Sequence, residues 1–240
     1  MKRRKILIVL SLLLSFSGCS DFMMICSLNP FYLNKNITLT PEIEGNWSAH
    51  KIQSNSGSNS KSANNNHWEK ADTLSIWSIE QKISQETRKT KRGKDSIVFK
   101  PQDYYVVKLV NSNPDSAMYQ FKMVLFRIND VLFADFSPYE KMALKNSLMA
   151  IENYFTVHTL ARITFQNKQL KISWLGDDYM KKMIELKRVR IKYKYVPDAG
   201  RLILTASSED LTEMIERYAD QKRFIDWDDQ PAILKLNRIK

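Results

Sequence analysis

The chain predicts a mainly β protein: an antiparallel β-barrel or strongly curved sheet, with a C-terminal amphipathic helix and one inserted helix. Three observations lead there. Met118–Ile128 alternates, with Tyr119, Phe121, Met123 and Leu125 on one face and Gln120 and Lys122 on the other. Roughly nine to eleven short runs rich in β-branched and aromatic residues recur along the chain, most of them joined at hairpin spacing. So many antiparallel strands have an economical end state in closure, which removes exposed edges.

Taken in order, the chain opens on Lys2, Arg3, Arg4 and Lys5, then an apolar run Ile6–Phe16, then Phe16-Ser17-Gly18-Cys19. A basic n-region, a short apolar core and small residues before a cysteine are the parts of a bacterial export signal. The apolar run falls short of the roughly 20 residues that cross a bilayer. Its ending resembles a lipobox, the motif read by the lipoprotein signal peptidase, although Phe16 stands where an aliphatic residue is commoner. The resemblance implies that Cys19 receives a diacylglycerol on its thiol, that residues 1–18 are removed, and that the new amino terminus is acylated. Residues 19–40 then read as a lipid-anchored tether, with Phe22–Ile25 near the lipid and Phe31-Tyr32-Leu33 packing on the body. Residues 41–240 read as a single β-rich domain.

Pro41 introduces a short turn, and Gly45-Asn46-Trp47 opens the next strand. This Gly-x-Trp resembles the first strand of lipocalin-like barrels, in which the indole plugs the closed end. Residues 53–67 are a Ser/Asn-rich segment with almost nothing to bury and read as a disordered loop. Ser84–Lys94, carrying five cations, reads as a solvated loop. Between and after these come strands at Leu74–Ile79, Ser96–Phe99 and Tyr104–Val110. In Met118–Ile128 the far end adds Val124, Phe126 and Ile128, so burial on both sides is expected there. Asn129-Asp130 is a hairpin turn into Val131–Phe136.

Pro138 followed by Leu144, Leu148, Ile151 and Phe155 predicts an amphipathic helix. A second hairpin, Val157–Phe165 with Leu170–Leu175, leads to a short helix at Tyr179–Leu186. Arg188, Arg190, Lys192 and Lys194 alternate with Val189, Ile191, Tyr193 and Tyr195. In a strand this parity puts charge on one face and apolar side chains on the other. A strand at Arg201–Thr205 precedes a helix capped by Ser207, with Leu211, Met214, Ile215 and Tyr218 as its stripe. Ala232–Ile239 supplies the last strand.

Lys and Arg number 37 against 26 Asp and Glu, a formal charge of +11; the four cations of the n-region reduce the excess beyond it to +7. That balance suits solubility and weak attraction to anionic surfaces, and the absence of shared basic-aromatic faces argues against nucleic acid as a partner. Cys26 is the only cysteine besides Cys19, so no internal disulfide is available; it reads as an idle thiol in the tether. His50, His67 and His158 show no metal spacing, and there is no HExxH, CxxC, G-x-S-x-G or glycine-rich phosphate loop. No metal or cofactor is expected, and nothing in the chain argues for catalysis.

Asp72-Thr73-Leu74, Asp95-Ser96-Ile97 and Asp115-Ser116-Ala117 resemble the O-glycosylation signal of exported proteins in one group of Gram-negative anaerobes, which would place sugars on Thr73, Ser96 and Ser116. Val157-His158-Thr159, Ile172-Ser173-Trp174-Leu175 and Leu204–Leu211 resemble a recurrent type of uncharacterised bacterial envelope lipoprotein, which implies a fold and no activity. Together these expectations describe a membrane-anchored lipoprotein of the bacterial envelope, in the outer membrane and facing the periplasm or the surface. Its expected role is binding of a small apolar or amphipathic ligand, with Trp47, Phe121, Met123 and Phe165 lining a barrel interior. The alternative is an accessory subunit docking on an envelope protein complex or the cell wall; a weaker one is a hydrolase.

Overall fold

The computed structural model describes residues 24–53, 75–89, 95–110, 119–139, 156–166, 168–197, 200–218, 225–228, 230 and 232–239. The strands are β1 (Cys26–Ser27), β2 (Gly45–Gln53), β3 (Ser75–Lys89), β4 (Asp95–Val110), β5 (Tyr119–Ile128), β6 (Val131–Pro138), β7 (His158–Gln166), β8 (Gln169–Trp174), β9 (Tyr193–Val196), β10 (Arg201–Leu204) and β11 (Ala232–Arg238). The helices are α1 (Asp177–Glu185) and α2 (Ser208–Tyr218).

Eight strands, in the order β2-β3-β4-β5-β6-β7-β8-β11, close into an antiparallel barrel. Closure is completed by Phe136↔Thr159 between β6 and β7, and by β11, which pairs with β8 on one side and β2 on the other. The tight turns behave as their residues require. Asn129 and Asp130 both take positive φ (50° and 63°), the twist of a type I′ hairpin that these two residue types tolerate. Gly45 sits at φ 122°, with nothing near the position a Cβ would take; the constraint there is backbone conformation alone, which suits glycine.

After Trp174, β8 leaves the barrel and β1 takes its place beside β7, with Cys26 opposite Thr159 and Ser27 opposite His158. β10 pairs parallel with β1, and β9 antiparallel with β10, so a three-stranded flap fans out from the rim. The alternation in β5 now has two destinations. Met123 and Leu125 point into the barrel, whereas Phe126 and Ile128 point out, into a second core made with Ile25, Phe31, α1, α2 and β10. The capping expected for α2 is present: Asp210 N–H donates to Ser207 Oγ at 3.2 Å.

Several expectations change. The stretch read as a tether to residue 40 belongs to the folded body from Met24 onward. Ile25 and Phe31 are fully buried, and Thr38 N–H donates to Leu125 O at 2.9 Å. Cys26 accordingly lies in a strand, 6% exposed, instead of in a tether. Most of the polar stretch Ser84–Lys94 is ladder rather than loop, because β3 and β4 stay paired to Lys89↔Asp95. This ribbon continues the β3–β4 ladder that the barrel anchors from Ile76↔Val110 onward. The strand expected from Arg188 begins only at Tyr193. Pro138 closes β6 instead of opening a helix; the rest of that expected helix and the Ser/Asn-rich loop beyond Gln53 lie outside the described residues.

Candidate functional site

Two places bring chemistry together: the barrel interior and the polar seam under the flap. At one end of the interior Trp47 is fully buried, with its indole N–H donating to Ile43 O at 2.8 Å. Arg238, from the last strand, lies over that indole at 4.8 Å and donates to Glu42 O at 2.5 Å and Glu44 O at 2.8 Å. One guanidinium thus joins the last strand, the first barrel strand and the turn before it. The N-terminal segment crosses this end, where Thr40 N–H donates to the Tyr105 hydroxyl at 2.8 Å. The end is plugged.

The interior itself is packed. Trp47, Ile79, Met123, Leu125, Leu170 and Ile172 have no accessible surface, which a water-sized void beside any of them would create. The interior rings with the largest residual exposure are Trp77 (8%), which is the strand partner of Trp47, Trp174 (7%) and Phe136 (6%). These rings contact each other, with centroids 6.2 Å apart for Trp77 and Trp174 and 5.5 Å for Phe136 and Trp174. The ends of β2, β4 and β6, with the starts of β3, β5 and β7, form the rim opposite the plugged end. Of the residues expected to line a cavity, Trp47 and Phe165 meet edge-to-face at the plugged end, with centroids 5.9 Å apart and Phe165 41% exposed. Met123 is mid-barrel and Phe121, half-buried, lies toward the rim. The four are not gathered around one space.

The polar seam runs along the outer wall. Asp135 on β6 is 1% exposed; its Oδ2 accepts Phe31 N–H at 2.9 Å and its Oδ1 lies 2.7 Å from His158 Nδ1. A carboxylate can only accept, so that imidazole nitrogen carries a proton. The nearby Tyr32 phenol is pushed up to about 12, first by burial and then by the charge of Asp135. Ser27 is the strand partner of His158, so a serine stands in the strand beside the His–Asp pair. The hydroxyl, however, is fully buried, accepts Asn29 N–H at 3.1 Å and reaches Leu204 O at 3.5 Å. With no access for a substrate, this is a tie that fastens β1 and Phe31 to the barrel.

A second tie lies beneath β10. Asp177 Oδ2 accepts from Leu202 N–H at 3.3 Å and Lys181 Nζ at 3.0 Å. Burial alone would lower the Lys181 ammonium, but bonds and charge from Asp177 and Asp178 outweigh it, and its pKa is raised. Arg201 Nη2 donates to Met24 O at 3.1 Å and Cys26 Sγ at 2.9 Å. Burial pushes the Cys26 thiol up against the pull of Arg201, so it stays protonated and unreactive. Gln230, fully buried, accepts Gly176 N–H at 3.0 Å and donates to Asp226 O at 2.7 Å, fixing the start of α1.

A charged cleft of about 390 Å³ opens between Arg190–Lys192 and α2, floored by Met214 and walled by Asp210, Glu213 and Arg217. Among the described residues no three His, Cys, Asp or Glu side chains come together as metal ligands, and no helix is long and apolar enough to cross a membrane. His67, Cys19, Thr73 and Ser116 lie outside the described residues; Ser96 is in β4. The sequence reading missed Asp135, Asp177, Arg201 and Arg238 as organising groups. Asp135 did leave one signal, a lone acid inside the otherwise apolar run Val131–Phe136.

Comparison of the chain with protein-family models, with curated proteins and with solved structures found no match in any of the three.

Proposed function

We propose that this is a lipid-anchored binding protein of the bacterial envelope, whose barrel is a solid scaffold and whose recognition surfaces lie outside it. Anchoring rests on the basic n-region, the apolar run and Phe16-Ser17-Gly18-Cys19. The observation that carries the scaffold role is the packed interior around Trp47 and Met123, which leaves no room for a ligand of ordinary size. An accessory docking subunit of an envelope complex fits a solid barrel better than a carrier does.

A second reading keeps a small apolar or amphipathic ligand but moves it to the rim. It is favoured by the residual exposure of Trp77, Trp174 and Phe136, an aromatic group inside the barrel that is not sealed. Native mass spectrometry of the full chain taken from its own membrane separates the two. A mass equal to the acylated polypeptide supports docking, and in-cell crosslinking then identifies the partner. A co-purifying lipid-sized adduct lost in Trp174→Ala supports the rim. Palmitate labelling tests the anchor; a Cys19→Ser variant that retains both label and membrane partitioning overturns it.

A further inference from the structure

Among the described residues no strand lies beyond β9 at the end of the flap. β9 is the last strand of the sheet, and Tyr193 and Tyr195 are 47% and 51% exposed, although they share a face with buried Leu204 and Leu202. The alternation in the sequence would keep these rings apart from charge. Folding undoes that separation: Lys181, from α1, lies 5.9 Å from the Tyr195 ring, and irregular backbone before Tyr193 turns Arg190 and Lys192 into the cleft beside α2. Lys194 is exposed in the same strand. Cations and phenol rings therefore share one margin, where Lys181 is paired with Asp177 and Asp178, the cleft sets Asp210 and Glu213 against Arg190, Lys192 and Arg217, and Lys194 stands exposed.

That margin lies close to where the body meets its anchor. Met24, the first described residue, has its carbonyl held by Arg201, the residue paired with Val196 of β9. Cys19 is five residues upstream, so the acylated cysteine stays within roughly 17 Å of Met24 even with the chain fully extended. β9 lies two strand spacings from β1, about 10 Å. We infer that β9 and its flanking cations rest on the anionic headgroups of the leaflet that holds Cys19, with Tyr193 and Tyr195 at headgroup level and the barrel axis fixed relative to the bilayer. Amphipathic rings and long cationic side chains are the groups that partition to this zone, and the electrostatic attraction fades within a Debye length, so the short spacer matters. Exposed lysine on a sheet edge also serves to block strand pairing, but that role requires neither the rings nor the nearby anchor.

The inference rests on Cys19 acylation, and the test separates the two. The full chain, acylated and purified, is reconstituted into phosphatidylcholine vesicles with or without about 30% phosphatidylglycerol, using brominated acyl chains as quenchers. A fluorophore on Val196→Cys should be quenched about twofold more than one on Lys168→Cys, which sits at the far end of β7 about 23 Å away. Lys192→Glu with Lys194→Glu should abolish the dependence on phosphatidylglycerol while leaving thermal unfolding unchanged. Equal quenching at the two sites on protein whose Cys19 is acylated overturns the inference and leaves the anchor standing. An unacylated Cys19 removes both.

Discussion

The barrel interior and the layer on its outer wall bury similar apolar side chains, yet they are held in different ways. Within the interior the buried side chains are aliphatic or aromatic, and the Trp47 indole N–H and the Tyr105 hydroxyl are met by backbone groups of the segment before β2, at Ile43 O and Thr40 N–H. Ser27, Asp135, Ser137, Ser173, Asp177, Thr212 and Gln230 are all buried outside the lumen. The barrel has its backbone groups satisfied by its own ladder and needs only volume. The outer layer joins segments distant in sequence, whose backbone donors at Phe31, Leu202 and Gly176 have no ladder partner and are met by side chains instead.

The contrast breaks most visibly inside the barrel. Trp47→Ala should cost about 3–5 kcal/mol, since a fully buried ring is removed from a close-packed site, and denaturant titration should show the whole chain unfolding earlier. Asp135→Ala should cost about 3 kcal/mol by stranding Phe31 N–H and His158. Its signature should be local: hydrogen exchange accelerates over 25–31 while β5 and β8 keep their protection. Loss of protection in the barrel as well would show that the two regions are one cooperative unit. Arg238→Ala should cost about 1–2 kcal/mol through the lost stacking and carbonyl bonds at the plugged end, read as a lower melting temperature.

The smallest effect sharpens the boundary between the regions. The Tyr32 phenol titrates near 12 in the fold against 10.0 unperturbed, so the neutral form is favoured by folding. Its contribution is complete below pH 10 and is lost as pH rises from 10 to 12. Tyr32→Phe should flatten that loss in stability-versus-pH curves, and an unaltered curve would remove Tyr32 from the seam.

Much of the barrel is legible in the chain because alternation is a local property. Met118–Ile128, the Asn129-Asp130 turn and the hairpin at Val157–Leu175 all appear close to their expected places, and the double burial at Phe126 and Ile128 is readable as a break in alternation. Gly45-Asn46-Trp47 opens a barrel strand, with the indole buried and its N–H bonded to Ile43 O. The expected tether fails for a related reason. Phe31 packs on the body as expected, but Ile25 carries no periodicity over so short a span, and only its place beside Leu175 and β10 makes it core.

By itself the sequence determined the fold class, most strand positions and the two helices, because each depends on the order of apolar and polar residues within about ten positions. Only the tertiary structure decided that the barrel is solid, that Asp135, His158 and Arg201 are fasteners, and that lysines and tyrosines share the edge at β9. Those outcomes depend on which side chains meet across the fold and how much volume they fill, and neither quantity is written in any local stretch of chain.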